Sequence, residues 1–285
     1  MAQSALEAAN AALFKLGAAS VTSVSADTSK EGVAIAARLD ICKRSLLRMH
    51  PWNFATKRSI ITPPASVTLT TPYAAYTATN KITYTVASHS FSAGDYLTAA
   101  SSGSTESDGV FEVSSTTATT VVVNAPGVTS LSGTPAAGTI RLSPAFDYTY
   151  LYTLPTDCLR LLKINDQDDW TALWRVEGRK ILSDIATSMK VKFIYDVTDY
   201  TLMDVEFYEC LATYIAWDIC DYITGSESKK RDLWTDLHGG DGKIGMLPRG
   251  RFADATEDSQ QLMDSSSWTN AHGFAATTVV ANTLG

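Results

Sequence analysis

The feature that most constrains the fold is the end of an amphipathic helix within residues 44–54. The proline at position 51 disfavours helical geometry at His50, so the helix is predicted to close at or just before His50. Trp52 and Phe54 are two residues apart, and alternate positions of an extended segment point to one face. We predict a helix stop followed by two rings on a common face, forming either a buried corner of a core or a ligand site.

Two helices are predicted up to this point. Residues 5–16 are rich in alanine and leucine and are followed by Gly17, a residue typical of helix C-caps. Thr28 and Glu31 have the spacing of a capping box, which predicts the start of the second helix. Its C-terminal part carries three cations that favour either the helix dipole or a ligand site, namely Lys43, Arg44 and Arg48.

Composition changes abruptly after the prolines at 63 and 64. Between residues 65 and 142 the only basic residues are Lys81 and Arg141, and Thr, Ser, Ala, Val and Gly dominate. Short β-type runs alternate with Gly-Asp and Ser-Gly turns, which predicts a small all-β domain with strands near 81–86, 109–113 and 119–123. We interpret residues 65–143 as an insertion, because the chain can leave and re-enter a core at one surface site.

Strand patterns and then helix patterns follow Pro144. One small antiparallel sheet is predicted, with Gly178 in a turn and strands near 148–154, 159–164, 174–176, 180–182 and 191–195. Asp204 is expected to cap an apolar helix that Gly225 ends, and another helix runs from Ser226 or Ser228 to Gly239. The predicted fold class is α+β, with a helical body, a small antiparallel sheet subdomain, an inserted all-β domain of sandwich or barrel type, and an extended C-terminal tail.

Three segments of this chain resemble the tail tubular protein A family, the head-to-tail adaptors of short-tailed bacteriophages. The segments are Leu-Leu-Arg-Met-His-Pro-Trp-Asn-Phe-Ala at 46–55, Leu-Pro-Thr-Asp-Cys-Leu-Arg at 154–160, and Val-Glu-Gly-Arg-Lys-Ile-Leu at 176–182. The match covers roughly residues 1–62 and 144–238, in the family's order. The residues that carry it are Pro51, Trp52, Phe54, Leu154, Pro155, Asp157, Arg160 and Gly178.

The resemblance implies a virion structural protein without enzymatic activity. It implies a dodecameric ring between the portal protein and the tail nozzle protein, with an axial channel through which DNA passes without sequence-specific binding. Residues 1–64 and 144–238 would form the adaptor core, and the block at 65–143 looks like the small β-modules of phage tail proteins. The β-insert would lie on the outer rim or face the nozzle, so a tail fibre protein is a further possible partner. The protein would be assembled in the host cytoplasm and reside in the tail or neck of the virion.

Residues 239–285 depart from the family's pattern. A glycine-rich run at 239–245 suggests a loop where the family's last helix usually continues, and the Ser-, Thr- and Ala-rich end suggests a tail that orders on a partner. We expect this region to dock on the portal, since arginine and aromatic side chains dominate interface energetics. The candidate docking residues are Arg249, Arg251, Phe252, Trp268 and Phe274.

Bulk properties agree with a structural role. The 285 residues favour about two domains, and a net charge of −7 is opposite to what a phosphate-binding surface needs. No apolar run approaches the ~20 residues of a membrane span, so we expect neither a membrane anchor nor a signal peptide. The cysteines lack a short paired spacing, which predicts buried free thiols; they are Cys42, Cys158, Cys210 and Cys220.

No catalytic, cofactor-binding or metal-binding residue is assigned from the sequence. Residues 240–245 match the letter of a dinucleotide motif but follow a helix, whereas the motif needs a preceding strand. The acidic group Asp166, Asp168 and Asp169 lacks the turn glycine and distal glutamate of a calcium loop. The histidines lack the spacing of zinc ligands, so each is interpreted as a local hydrogen-bonding group; they are His50, His89, His238 and His272.

Two alternative functions remain open at this point. In the first, the β-insert is a binding module for a host-surface glycan, with Tyr73, Tyr76 and Tyr96 stacking on sugars or, alternatively, packing on a sheet face. In the second, the protein is a tail-associated hydrolase, for which Asp166 and Asp169 are the nearest candidate carboxylates.

Overall fold

The computed structural model describes residues 3–78, 80–101, 104–131, 138–165, 174–240 and 242–257. These divide into two compact units. The first, which we call the β unit, comprises residues 3–5 and 37–203; the second, the helical unit, comprises residues 6–36 and 204–257. No helix within the described ranges is both long and apolar enough to cross a membrane.

The described elements confirm an α+β architecture with antiparallel sheets. The helices are α1 (Ala5–Leu16), α2 (Lys30–Met49), α3 (Val205–Thr224), α4 (Glu227–His238) and α5 (Met246–Glu257). The strands are β1 (Thr56–Ile61), β2 (Val67–Ala78), β3 (Lys81–Val86), β4 (Tyr96–Ser101), β5 (Gly109–Thr116), β6 (Thr120–Asn124), β7 (Gly138–Leu142), β8 (Tyr150–Thr153), β9 (Cys158–Ile164), β10 (Trp174–Glu177), β11 (Lys180–Ser183), β12 (Met189–Tyr195), β13 (Gly239–Gly240) and β14 (Lys243–Ile244).

The helical unit is organised around α3. Its fully buried side chains include Phe207, Leu211 and Ile215, which share adjoining faces at helical spacing. Gly225 adopts the left-handed conformation at φ +63° and ends the helix as predicted. The side chain of Ser226 then accepts a hydrogen bond from the backbone N–H of Lys229 and caps α4.

The start of α2 differs from the prediction by one residue. The hydroxyl of Ser29, not that of Thr28, accepts the backbone N–H of Gly32 at 3.0 Å. The Ser29 side chain most of all, and then the backbone N–H groups of Ser29 and Thr22 that the Asp27 carboxylate accepts, lower the pKa of Asp27. Gly32 is required here, because a Cβ atom at this position would lie 2.6 Å from Asp27.

The sequence predicted a C-terminal loop and tail over residues 239–285, and the structure corrects this over residues 246–257, which form α5. The glycine-rich run forms a short hairpin whose strands, β13 and β14, have two residues each. Helix α5 begins directly afterwards. Pro248 lies in the first turn of α5, where the missing N–H has no helical partner to lose. The hairpin needs glycine, because a Cβ on Gly245 would lie 2.3 Å from the backbone nitrogen of Gly239.

The β unit contains two three-stranded antiparallel sheets where one was predicted. They have the strand orders β1-β12-β9 and β10-β11-β8. Their common core includes Tyr152, Ile181, Met189, Val191 and Phe193, all buried. The predicted turn at Gly178 is confirmed, with φ at +57° between the paired strands β10 and β11.

Strands β2 to β7 form a closed barrel in the order β2-β3-β6-β5-β4-β7. Its interior is filled by alternate apolar side chains, among them Ile82, Tyr84, Val121 and Ile140. The first and last strands pair with each other, with Val67 opposite Ile140. The chain therefore enters and leaves the barrel at neighbouring positions.

The extended segment predicted for the residues after Pro51 is wrong. Asn53–Ala55 form a turn of 3₁₀-helix, so strand alternation does not place Trp52 and Phe54. Trp52 is fully buried, whereas Phe54 is half-buried and tilted against it at 6.1 Å. The hydrogen bond from the backbone N–H of Ala55 to the carbonyl of Trp52 closes this turn.

Candidate interaction surfaces

The end of α2 is anchored by the indole of Trp52. The indole Nε1–H donates to the carbonyl of Leu46 at 3.3 Å, which satisfies both groups inside the core. The ring of His50 packs edge-on against the indole at 4.8 Å. The structure places this corner in the core, in agreement with the packing interpretation of the sequence.

The segments at 46–55 and 154–160, which resemble the adaptor family, contact each other. The Arg48 guanidinium donates to the carbonyl of Leu159, and the Arg160 guanidinium donates back to the carbonyl of Arg48 at 3.1 Å. The ammonium of Lys57, just beyond the first segment, lies 2.6 Å from the Asp157 carboxylate, which raises the pKa of Lys57. The sequence left Arg48 open between the helix dipole and a ligand site, and this reciprocal pair was not predicted.

The segment at 176–182 closes on the segment at 154–160 through Arg179. Its guanidinium donates to the carbonyls of Pro155 at 2.6 Å, Thr156 at 3.0 Å and Cys158 at 3.3 Å. The positive φ of Gly178 allows the turn that presents Arg179 to these carbonyls. Arg179 was not singled out from the sequence, although it adjoins the turn glycine.

A buried cation in the C-terminal part of α2 forms an ion pair within the β unit. The ammonium of Lys43, only 4% exposed, lies 3.0 Å from the carboxylate of Asp196. Arg44 donates its Nε–H to the same carboxylate at 2.7 Å. A buried charge is costly unless it is paired, and Asp196 supplies the partner that the buried Lys43 ammonium needs.

Large apolar side chains are exposed on the helical unit. Phe14 is 85% exposed, Phe252 is 73% exposed, and Val205, Tyr222 and Trp234 are also exposed. The Trp234 ring stacks on His238 with a centroid distance of 3.7 Å and packs against Trp217 at 4.9 Å. A row of three aromatic rings therefore joins α3 to α4. Exposed aromatic groups of this kind are enriched at protein interfaces.

The candidate docking residues are only partly within the described chain. Arg249, Arg251 and Phe252 lie on α5, where Arg249 and Phe252 are exposed and Arg251 is half-buried. Arg249 and Phe252 are three residues apart and share one side of the helix. Trp268 and Phe274 lie outside the described residues.

An open groove of about 490 Å³ lies in the β unit between the barrel and the strands after it. Its lining includes the aromatic residues Tyr96, Phe146 and Tyr148 beside Asp147 and Lys180. Ser143 also lines the groove, and its buried Oγ atom has no hydrogen-bond partner among the described residues. The side chains of Tyr73 and Tyr76 lie outside the described part of the chain.

The remaining polar candidates have local roles or lie outside the description. Cys42, Cys158, Cys210 and Cys220 are all buried free thiols, and burial raises the pKa of Cys210 to about 12. His89 accepts the backbone N–H of Phe91 and contacts the carbonyl of Thr117. Asp166, Asp168 and Asp169 lie outside the described residues. Within the described ranges no group of three or more metal-ligating side chains converges.

Comparison with models of known protein families found no match for this chain. A comparison with curated proteins likewise found no relative.

Proposed function

We propose that this protein is a subunit of a head-to-tail adaptor ring in the virion of a short-tailed bacteriophage. The observation that carries the proposal is the set of contacts among the three segments that resemble the adaptor family. Segments at 46–55, 154–160 and 176–182 are far apart in sequence, yet Arg48, Arg160 and Arg179 join them through backbone carbonyls. Their motif residues thus act together as one structural corner.

The ring is proposed to join the portal protein to the tail nozzle and to enclose part of the DNA channel. Exposed aromatic residues on the helical unit, such as Phe14 and Trp234, support burial against other copies or partners. The copy number of twelve rests on the family resemblance. The barrel is proposed to face outward, toward the nozzle or a tail fibre protein, because its chain ends meet at one place and leave the rest free.

Docking on the portal is assigned to α5 and the residues that follow it. Arg249 and Phe252 form an exposed pair on α5, and an arginine beside an aromatic ring is typical of interface hot spots. Arg251, Trp268 and Phe274 complete the proposed docking set. The tail beyond residue 257 would order on the portal surface.

The test is to mix the purified chain with the portal ring of the same phage and to measure mass and particle images, alone and together. We expect rings of the chain on the portal. A truncation after Glu257 removes the tail but retains α5, whose Leu247 is buried and would be lost with a truncation after His238. The truncated chain should remain folded and lose most portal binding, and Arg249→Ala with Phe252→Ala should weaken it further.

A chain that ignores the portal in every condition would remove the adaptor proposal. A truncated chain that binds as tightly as the full chain would remove the tail from the docking surface. The matched control is Val110→Ala on the barrel, which shortens an exposed apolar side chain far from α5 in sequence.

A second candidate function is glycan binding by the groove beside the barrel. The observation in its favour is the combination of aromatic side chains with charged groups and the unpartnered Ser143 hydroxyl, a composition suited to sugar hydroxyls and ring faces. A glycan array probed with the full chain tests it. A signal that Tyr96→Ala and Tyr148→Ala abolish would favour this function, and a silent array would remove it.

A further inference from the structure

The solvent-facing side of sheet β1-β12-β9 carries a row of cations. Arg58 on β1 lies opposite Lys192 on β12, and Lys192 lies opposite Lys163 on β9. Residues paired across antiparallel strands share one face of a sheet. Lys190 is two residues from Lys192 and opposite Ile60, which is 67% exposed, so both extend the same face. We call these five residues the cationic face.

This arrangement is unfavourable in the isolated chain. Like charges directly opposite each other on neighbouring strands are destabilising. Within the described chain, Arg58, Lys190 and Lys192 make no ion pair that would offset the repulsion. The cationic face lines an open pocket with a volume of about 340 Å³, and no carboxylate is among the residues that line this pocket. An anionic partner would neutralise these cations and relieve their repulsion.

Charge is divided unequally between the two units. The described residues of the β unit include 15 Lys and Arg against 11 Asp and Glu, a net charge of +4. Those of the helical unit include 8 against 13, a net charge of −5. Two copies of this chain are therefore electrostatically complementary when the β unit of one meets the helical unit of the other.

The exposed side of α4 supplies the matching anions. Asp232 and Asp236 are exposed and four residues apart, so they share one side of the helix. Two of the cations before them on α4 already have partners, since Lys229 donates to the carbonyl of Leu16 and Lys230 pairs with Asp221; Arg231, beside Asp232, is exposed. We call Asp232 and Asp236 the acidic pair. Like charges at this spacing also destabilise an isolated helix, so each surface would gain from the other.

We propose that the cationic face of one copy binds the acidic pair on α4 of a second copy. The contact joins different surfaces of the two copies, which is the type of interface that generates rings when the rotation closes. The inference rests on the proposed adaptor function, because it identifies the contact between neighbouring subunits of that ring. Duplex DNA, whose phosphates are also anionic, is the competing occupant, and the experiment distinguishes the two.

The test uses two charge-reversed full-length chains. The first carries Arg58→Glu, Lys163→Glu, Lys190→Glu and Lys192→Glu and presents only anions on the two surfaces. The second carries Asp232→Lys with Asp236→Lys and presents only cations on them. Each chain alone has matching signs on both surfaces and should self-associate about tenfold more weakly than the wild type, or worse. An equimolar mixture restores both complementary contacts and should recover association. Sedimentation and particle images report the result, alone and with the portal ring.

The control is Arg175→Glu, which makes the same change at an exposed site of the β unit outside the cationic face and should associate as the wild type does. Circular dichroism checks that each variant is folded, and Arg58→Gln with Lys192→Gln replaces the first variant if it is not. Raising the ionic strength should weaken wild-type association, since exposed charges are screened.

Recovery in the mixture supports the contact. Variants that assemble as the wild type does overturn it while leaving portal binding intact, so the adaptor proposal is judged separately. Loss of association in the first variant without recovery in the mixture removes α4 as the occupant. If the first variant assembles normally but loses salt-dependent binding to duplex DNA in a fluorescence anisotropy titration, the occupant is DNA and the proposal is wrong.

Discussion

The barrel and the helical unit bury their cores in opposite ways. The barrel uses one contiguous stretch, from Val67 to Leu142, and each strand pairs with another from the same stretch. The helical unit joins residues 6–36 to residues 204–257, and its contacts cross the whole chain: the Lys229 ammonium donates to the carbonyl of Leu16. A local fold can be moved or removed as a block, whereas a fold closed by distant segments depends on every one of them.

Deleting residues 65–143 and joining the ends with a short linker tests most severely whether the barrel folds independently of the rest of the chain. Val67 pairs with Ile140, so the two ends of the deletion lie close together and a short linker can span them. We expect the helical unit and the remaining sheets to keep their fold, with loss of the barrel's own unfolding transition in calorimetry. Ring assembly should persist. An aggregated or unfolded product would contradict the insertion model.

Phe207→Ala should have the next largest effect. The ring of Phe207 is fully buried on α3, and its removal should lower the free energy of unfolding of the helical unit by about 3–5 kcal/mol through lost burial and an unfilled cavity. Amide hydrogen exchange should show faster exchange in α3 and α1 and unchanged exchange in β3 and β6. Ile82→Ala in the barrel is the matched control, with the reverse pattern. Equal loss of protection in both regions would show that they unfold together.

Alkaline pH should lower the stability of the helical unit before that of the barrel, and this effect should be smaller than that of Phe207→Ala. Burial raises the pKa of Cys210 from 9.0 to about 12, so the unfolded chain loses this proton before the folded chain does. The stability of the helical unit should therefore fall between pH 9 and 12, by about 1.4 kcal/mol per pH unit from this thiol. Burial and the nearby charge of Asp108 also raise the pKa of Tyr84, whose hydroxyl donates to the carbonyl of Ser107 at 2.7 Å. The barrel should lose stability only above pH 10.

Cys210→Ala and Tyr84→Phe are the variants that check this order. The first should flatten the pH dependence of the helical unit between pH 9 and 10 and leave that of the barrel unchanged. The second should flatten the barrel's decline above pH 10. Chemical denaturation at each pH, followed by region-specific hydrogen exchange, measures both. A helical unit as stable at pH 10 as at pH 8 would be inconsistent with a buried Cys210 thiol.

Lys15→Ala should have the smallest effect. The Lys15 ammonium lies 3.2 Å from the Glu209 carboxylate, but both side chains are partly exposed, so the loss should not exceed about 1 kcal/mol. The loss should disappear at about 1 M salt, where screening is strong. Lys81→Ala in the barrel is the comparison, because the Lys81 ammonium donates to the neutral Ser114 hydroxyl at 3.3 Å. A salt-independent effect at Lys15 would point to packing of its aliphatic part.

Helix ends and turns could be predicted closely because they depend on neighbouring residues. Gly178 and Gly225 adopt the positive φ expected of them, and Ser226 caps α4. The error at α5 has the same local origin, since a glycine-rich run and a proline favour a loop when tertiary contacts are unknown. Packing of Leu247 and the close approach of Gly239 to Gly245 allow a hairpin and a helix there.

The candidate surfaces were harder to predict. Arg249, Arg251 and Phe252 stay predicted docking residues, chosen because arginine and aromatic side chains are common at interfaces. The cationic face was missed because its four cations come from three strands, and only the alternation of Lys190 and Lys192 hinted at a shared face. Pairing across strands brings Arg58 and Lys163 beside Lys192. The residue spacing within one strand does not indicate which other strands will pair with it.

The sequence by itself determined where helices stop, which block forms the barrel, and which residues resemble the adaptor family. The first two depend on local backbone preferences or on composition, and the resemblance depends on the motifs at 46–55, 154–160 and 176–182. Only the tertiary structure decided that the strands after the barrel form two sheets, that Arg179 joins two of the family-like segments, and that a row of cations faces solvent. These depend on which strands become neighbours and in what register, and long-range packing sets both.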